Sequence, residues 1–173
     1  MSAVGHYCVN CGTELEPRRL EGRDLEACPR CDFVLWRDPK VVTIVVVETS
    51  AGDVIAGRRA IDPGYGGWCL PGGFVNDDEH PAAAAARECR EEIEARVEIG
   101  GLLGVYHIAK QGASSMIGIA YRARLAAGSE IRAGPEMLEV GAFPRTELPG
   151  LVFPSHREAV HDFLAMREET RRR

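Results

Sequence analysis

Four cysteines constrain the start of this chain more tightly than any other feature. They stand as Cys8-x-x-Cys11 and Cys28-x-x-Cys31, with sixteen residues between the pairs. Residues 1–38 are short, polar and too few for a hydrophobic core, so a segment of this size folds only around a staple. Two Cys-x-x-Cys pairs at this separation fit one tetrahedral Zn²⁺ held by four thiolates, which leaves no open position and hence predicts a structural role. Gly12 and Pro29 suit the tight turns that aim both sulfurs of a pair at one point. Cys69 and Cys89 stand outside the pattern and read as small buried hydrophobes.

Composition narrows the rest. Of 173 residues 45% are hydrophobic and 27% charged, which excludes a disordered or fibrous chain. A net charge of -5 gives no general affinity for polyanions. The longest apolar run, Val41 to Val47, is far short of a membrane span, so no membrane partner is expected. Met1 to Cys8 has no charged stretch followed by an apolar one, as a secretory signal would, and the expected location is cytoplasmic.

Asp38-Pro39 marks a change of character, giving expected domains of 1–38 and 39–170. Val41 to Glu48 is dominated by valine and predicts a strand buried on both faces. Val54 to Ala60 is expected to return against it as a hairpin after the turn Ala51-Gly52-Asp53. Asp62 to Gly73, with five glycines and two prolines, is a shaped loop. Pro81 to about Ala95 predicts a helix, Val97–Ile108, Ser115–Leu125 and Glu139–Phe143 predict strands, and Pro154 to about Glu168 an amphipathic helix. Arg171 to Arg173 is a basic tail expected to fray.

The first long helix carries the chemistry. Glu88, Glu91 and Glu92 are related by i+3 and i+4, so three carboxylates share one side. Like charges this close repel and raise one another's pKa unless a cation lies between them, and hard divalent metals such as Mg²⁺ or Mn²⁺ take such oxygen ligands. The Gly72-Gly73 turn, without side chains, lets backbone approach a metal or phosphate closely.

The spacing around this helix is Gly73, five residues, Glu79, seven residues, then Arg87-Glu88-Cys89-Arg90-Glu91-Glu92. It resembles the signature box of the Nudix hydrolases, with every charged position filled. Cys89 stands at the usual aliphatic position, and Glu94 where the family has a glycine that ends the helix. The segment Trp68-Cys-Leu-Pro-Gly-Gly-Phe-Val resembles the family's approach to its catalytic loop. The resemblance implies an α/β fold, a Nudix-type α/β/α sandwich with a mixed sheet, preceded here by a small four-cysteine zinc ribbon. With the ribbon in front, the chain is similar to the subgroup of FAD and ADP-ribose pyrophosphatases, including a Gly134-Pro135-Glu136 segment. The Ser-Gln-Pro-Trp-Pro-Phe-Pro motif of NADH pyrophosphatases has no counterpart after Ala95; Gln111 to Met116 reads Gln-Gly-Ala-Ser-Ser-Met in that region.

The implied reaction is hydrolysis of the pyrophosphate of a nucleoside diphosphate linked to a group X, ADP-ribose or FAD before NADH, with release of AMP. By resemblance Glu88 and Glu92 are the main metal ligands, Glu91 is shared, Gly73 adds its backbone, Glu79 supports from behind, and Arg87 orients Glu79 or Glu91. A later loop supplies a further carboxylate, Glu136, with Glu139 as the alternative. Arg58 and Arg59, at a strand end, can meet phosphates in the bidentate manner of guanidinium, or serve as solvated strand-end charges. His107, His156 and His161 have no ligand spacing with each other and read as core or surface histidines, and core packing is the expected use of Tyr65, Trp68 and Tyr106 over ring stacking. The expected partner is a nucleotide small molecule, and a second copy of the chain as a homodimer is left open.

The rival reading is a nucleic-acid-binding or regulatory protein, its zinc ribbon reading nucleic acid in front of an inactive Nudix scaffold. Residues 1–40 hold six Lys or Arg against seven Asp or Glu, and four thiolates around Zn²⁺ add negative charge, so the footprint for phosphate backbones is missing.

Overall fold

The computed structural model describes residues 6–109 and 115–171, with side chains described as far as Arg167. Residues 111–114 of the Gln111 to Met116 stretch lie outside the described residues, as do Met1 to Gly5 and the end of the basic tail from residue 172. The chain divides into two compact units, Met1–Asp38 and Pro39–Arg173.

In the first unit three short strands, β1 (Glu16–Leu20), β2 (Arg23–Ala27) and β3 (Val34–Leu35), form an antiparallel sheet in that order. Cys8, Leu15 and Cys28 are buried, with Cys31, Phe33 and Leu35 packed against them. The cysteines thus occupy the place a core would have. Gly12, at φ 68°, closes the first knuckle by donating its N–H to the Cys8 carbonyl at 2.8 Å. That left-handed backbone is why glycine stands there.

The second unit contains β4 (Lys40–Glu48), β5 (Val54–Arg59), β6 (Trp68–Cys69), α1 (Pro81–Glu92), β7 (Val97–Ile108), β8 (Met116–Leu125), β9 (Met137–Phe143) and α2 (Pro154–Arg171). The sheet order is β6-β5-β4-β8-β7, and β9 pairs with β5. β4 and β8 run parallel, from Lys40↔Met116 to Glu48↔Arg124, while β5, β6, β7 and β9 pair antiparallel, so the sheet is mixed. Alternation along β4 gives each face its own core. Val45 and Val47, with Ile55, pack with Ala85, Cys89 and Ile93 at α1. Ile44 and Val46, with Val54 and Ala56, pack with Ala159 and Phe163 of α2. The valine-rich run of β4 reflects burial on both sides. Cys69 and Cys89 are buried, 1% and 0% exposed. No helix among the described residues is long and apolar enough to cross a membrane.

The expected β4–β5 hairpin pairs at its mouth, Glu48↔Val54, and then opens. Beyond that pair β5 runs against β9, from Val54↔Phe143 to Arg59↔Met137. The edge of β4 is occupied instead by the loop before α1. Val45 N–H donates to the Pro71 carbonyl at 2.8 Å, Thr43 N–H to the Gly73 carbonyl at 2.7 Å, and Val75 N–H to the Val41 carbonyl at 3.0 Å. A Cβ at Gly72 would lie 2.1 Å from the Thr43 carbonyl oxygen, so this stitching needs glycine.

α1 begins at His80, whose ring Nδ1 accepts from the Ala82 N–H at 3.2 Å, with Pro81 in the first turn. It ends at Glu92, three residues before the expected Ala95, because Glu94 turns out of the helix at φ 48°. The loop between β8 and β9 caps it: Gly134 N–H donates to the Glu92 carbonyl at 2.9 Å and Arg132 N–H to that of Ile93 at 3.0 Å.

Candidate active site

The loop stitched to β4 and the buried side of α1 meet at Gly72, Gly73, Glu88 and Glu92. Glu92 is 4% exposed, and its Oε2 accepts from the Gly72 N–H at 2.8 Å. A Cβ at Gly73 would lie 2.5 Å from the Glu88 carboxyl carbon, so Glu88 fills the space a side chain there would take. The three helix carboxylates are unequally placed. The side chains of Glu88 and Glu91 are 13% and 56% exposed, so Glu91 turns toward solvent rather than into the site.

Arg87 organises this cluster. It donates to both oxygens of Glu79, at 2.6 and 3.1 Å, to Glu88 at 2.8 Å, to Glu91 at 2.9 Å and to the Phe74 carbonyl at 3.0 Å. Its hydrogen bonds, followed by that from the Asn76 N–H, hold the Glu79 carboxyl below the usual carboxylate range. Glu79 in turn accepts from the Asn76 N–H at 2.9 Å, which fixes the loop leading into α1.

Glu92 titrates quite differently. Burial pushes it up to about 8; the Gly72 N–H and Arg59 act against this, and the charges of Glu88 and Glu136 add to it. Burial also raises Glu88, with Arg87 opposing and Glu91 and Glu136 adding. Glu136 therefore acts electrostatically on both helix carboxylates. Its loop reaches them because Gly134 lies on the end of α1, where a Cβ would be 1.9 Å from the Glu91 carbonyl oxygen. Glu139 is engaged elsewhere, in an ion pair of 2.8 Å with Arg58, its register partner across β5 and β9.

The two arginines part where the register of β5 with β9 shifts. Arg58 meets Glu139, whereas Arg59 donates through Nε to the Pro63 carbonyl at 2.8 Å and lies over the Phe153 ring at 5.2 Å. Arg59 lines a cleft of about 340 Å³ together with Thr43, Gly72, Gly73, Phe153 and His156. His107 and Glu158 also line it. His156 was expected in the core or on the surface; it is part-buried at the cleft, and its Nδ1 accepts from the Leu70 N–H at 3.0 Å. Its histidine spacing gave no signal, since it acts alone. Among the aromatic residues, Trp68 packs edge-on against Phe143 at 5.0 Å, Tyr106 donates to Asp162 at 2.6 Å, and Tyr65 is 65% exposed. His161 is exposed beside Asp162.

The donor set fits a hard divalent cation. Burial disfavours the ionised forms of Glu88 and Glu92, the charge of Glu136 adds to this at both, and a divalent cation is the charge that reverses it. The Gly73 carbonyl, which accepts from the Thr43 N–H at 2.7 Å and from its hydroxyl at 3.5 Å, is a further oxygen beside Glu88. In the first unit the Sγ atoms of Cys8, Cys11, Cys28 and Cys31 lie within 4.8 Å of one another, with Cys8–Cys31 and Cys11–Cys28 at 3.5 Å. Zinc bonds to sulfur of about 2.3 Å require tetrahedral edges of about 3.8 Å, so the four thiols are consistent with a zinc site.

Known proteins resemble this chain in sequence and in fold. The NUDIX domain model matches residues 38–163. The ADP-ribose pyrophosphatase of Methanocaldococcus jannaschii is 27% identical over 154 residues, 88% of this chain and 86% of its own length. A CMP-5'-(N-acetyl-N-hydroxy-3-aminopropyl)phosphonate hydrolase of Streptomyces rubellomurinus is 33% identical over 99 residues, 57% of this chain and 46% of its own. The crystal structure of a Nudix hydrolase from Nitrosomonas europaea covers 94% of this chain and 92% of its own at 32% identity, with a TM-score of 0.82. With the family model spanning the sheet, both carboxylate-bearing segments and most of α2, the chain belongs to the Nudix hydrolases, a family of pyrophosphohydrolases.

Proposed function

We propose that this enzyme hydrolyses the pyrophosphate of a nucleoside diphosphate linked to X, with ADP-ribose as the preferred substrate and AMP as a product. The observation that carries the reading is Glu92, a carboxylate buried at the junction of loop and helix and raised to about 8 in the absence of a cation. Glu88 and Glu92 would hold Mg²⁺ or Mn²⁺, with the Gly73 carbonyl and Glu136 as further oxygen donors and Glu91 at the margin. The metal, when bound, acidifies water and neutralises charge on phosphoryl oxygens. Arg87 and Glu79 keep Glu88 in position, and Gly73, without a side chain, leaves room for the Glu88 carboxylate. Arg59 presents its guanidinium to the cleft, where it can pair with phosphate oxygens. Water adds to one phosphorus, the bond from that phosphorus to the bridging oxygen breaks, and AMP and the phosphate ester of X separate.

Support for ADP-ribose comes from the pyrophosphatase of Methanocaldococcus jannaschii, which this chain matches over most of both lengths. The test is kcat/KM for ADP-ribose, FAD and NADH at one Mg²⁺ concentration, with AMP release measured. The expected result is that ADP-ribose leads. A tenfold preference for NADH would overturn the substrate, and no turnover of any pyrophosphate would overturn the reaction.

We also propose one structural Zn²⁺ on Cys8, Cys11, Cys28 and Cys31. Metal analysis of the purified chain should find one equivalent of zinc, and its absence with residues 6–38 still ordered would overturn this.

A further inference from the structure

A second charged cavity, of about 480 Å³, lies on the α2 face toward the end of β4. Its floor is apolar, made by Leu103 of β7 and Phe163 of α2. Its rim is cationic. Arg122 and Arg124 stand two apart on β8, so both project from one face of the sheet with their Cα atoms roughly 6.6 Å apart. Arg167 completes the rim and also lines an adjoining hollow with Arg145.

The four arginines are not equivalent. Arg145 and Arg167 both engage Glu48, whose side chain is 12% exposed, Arg145 at 3.5 Å and Arg167 in direct contact. Arg145 is further fixed by donating to the Gly52 carbonyl at 2.7 Å. Arg122 and Arg124 form no side-chain hydrogen bond or ion pair among the described residues. Glu98 faces Arg124 in the β7–β8 register and also lines the cavity, without a salt bridge to it. Among the described residues four guanidinium groups therefore face two carboxylates, and the two without an ion pair are neighbours on β8 beside the apolar floor. Such a concave cationic surface with low-dielectric walls concentrates anions. Paired guanidinium forks match phosphate oxygens in geometry as well as charge.

The place is distinct from the catalytic carboxylates. Thr43, bonded to Gly73, and Glu48 are five residues apart on β4, roughly 16 Å of strand, and α1 packs on the other face.

We propose that this cavity binds a phosphomonoester with an aromatic or apolar body, its phosphate on Arg122 and Arg124 and its body against Phe163 and Leu103. The test uses the full-length, zinc-loaded protein without added Mg²⁺, titrated with phenyl phosphate, inorganic phosphate and benzoate and followed by backbone amide NMR. Phenyl phosphate should saturate with its largest shifts at Arg122 to Leu125 and Phe163, and should bind more tightly than either fragment. The R122Q/R124Q double variant should weaken phenyl phosphate at least about tenfold, with ADP-ribose hydrolysis unchanged, whereas E88Q should bind it as wild type does. Shifts centred on Gly72 and Gly73, or wild-type affinity in the double variant, would overturn the site. Benzoate binding as tightly as phenyl phosphate would overturn the phosphate assignment, and inorganic phosphate doing so would overturn the role of the apolar floor.

Discussion

Arg87 grips Glu79 with a two-pronged pair of hydrogen bonds, Nη2 to Oε1 at 2.6 Å and Nε to Oε2 at 3.1 Å, while its Nη1 reaches Glu88 and Glu91. One planar cation thus ties the loop before α1 to the carboxylates on it. A lysine ammonium is a point charge on a flexible stem and cannot reproduce the fork. Arg87→Lys should therefore lower kcat roughly ten- to a hundredfold, as supports of metal ligands do, with little change in KM. Steady-state kinetics on ADP-ribose, with circular dichroism as the check on folding, measures this. A kcat near wild type would show that Glu88 is placed without Arg87.

Glu92→Gln keeps the shape and the hydrogen bond from the Gly72 N–H while removing the charge. Turnover should fall about a hundredfold or more, as when a metal that activates the nucleophile is lost. Because burial raises Glu92 to about 8, the charged form is the costly one in the metal-free fold. The variant should then unfold at the same temperature as the metal-free wild type or a higher one, and Mg²⁺ should stabilise it less. Near-normal turnover at saturating Mg²⁺ would remove Glu92 from the metal site.

Glu94 occupies a left-handed backbone position at φ 48° just beyond the end of α1, and it is exposed. A side chain there costs about 1 kcal/mol that glycine avoids. Glu94→Gly should raise the free energy of unfolding by somewhat less than this, because glycine also loosens the unfolded chain. Urea denaturation decides it, and a clear loss of stability would mean that the Glu94 side chain holds a compensating contact.

Much of this was legible along the chain because it is local. The valines of β4, the cysteine pairs and the proline-started α1 each declare their geometry over a few residues. What was not legible depends on partners distant in sequence. Nothing near Val54 says that β5 will leave β4 for β9, a strand some eighty residues later, or that Gly72 and Gly73 will fill the edge so vacated. The β5–β9 register shifts between Arg58 and Arg59, so alternation alone does not place them, and only the pairing of Arg58 with Glu139 says which one remains for the cleft. On α1 the grouping of Glu88, Glu91 and Glu92 was visible, yet Glu91 and Glu92 are adjacent and so about 100° apart around the helix. Glu92 buries itself under the Gly72 turn, and Glu91 faces out to Arg87.

His156 shows what such a distant contact does to titration. Its Nδ1 accepts the Leu70 N–H at 3.0 Å, so in the fold the ring is neutral with its proton on Nε2. Burial, helped by the charge of Arg59, lowers it from 6.5 to about 3. Between those two values the unfolded chain binds the proton that the folded chain refuses, so stability rises with pH across the window. The contribution is complete above 6.5 and is lost as the pH falls toward 3. A single proton of difference steepens the dependence by up to about 1.4 kcal/mol per pH unit. His156→Asn retains an acceptor where Nδ1 stands and removes the titration. Urea denaturation at several pH values through the window should therefore give a shallower acid decline for the variant than for the wild type. Equal slopes would mean that His156 is protonated in the folded protein and that the Leu70 N–H is not bonded to it in solution.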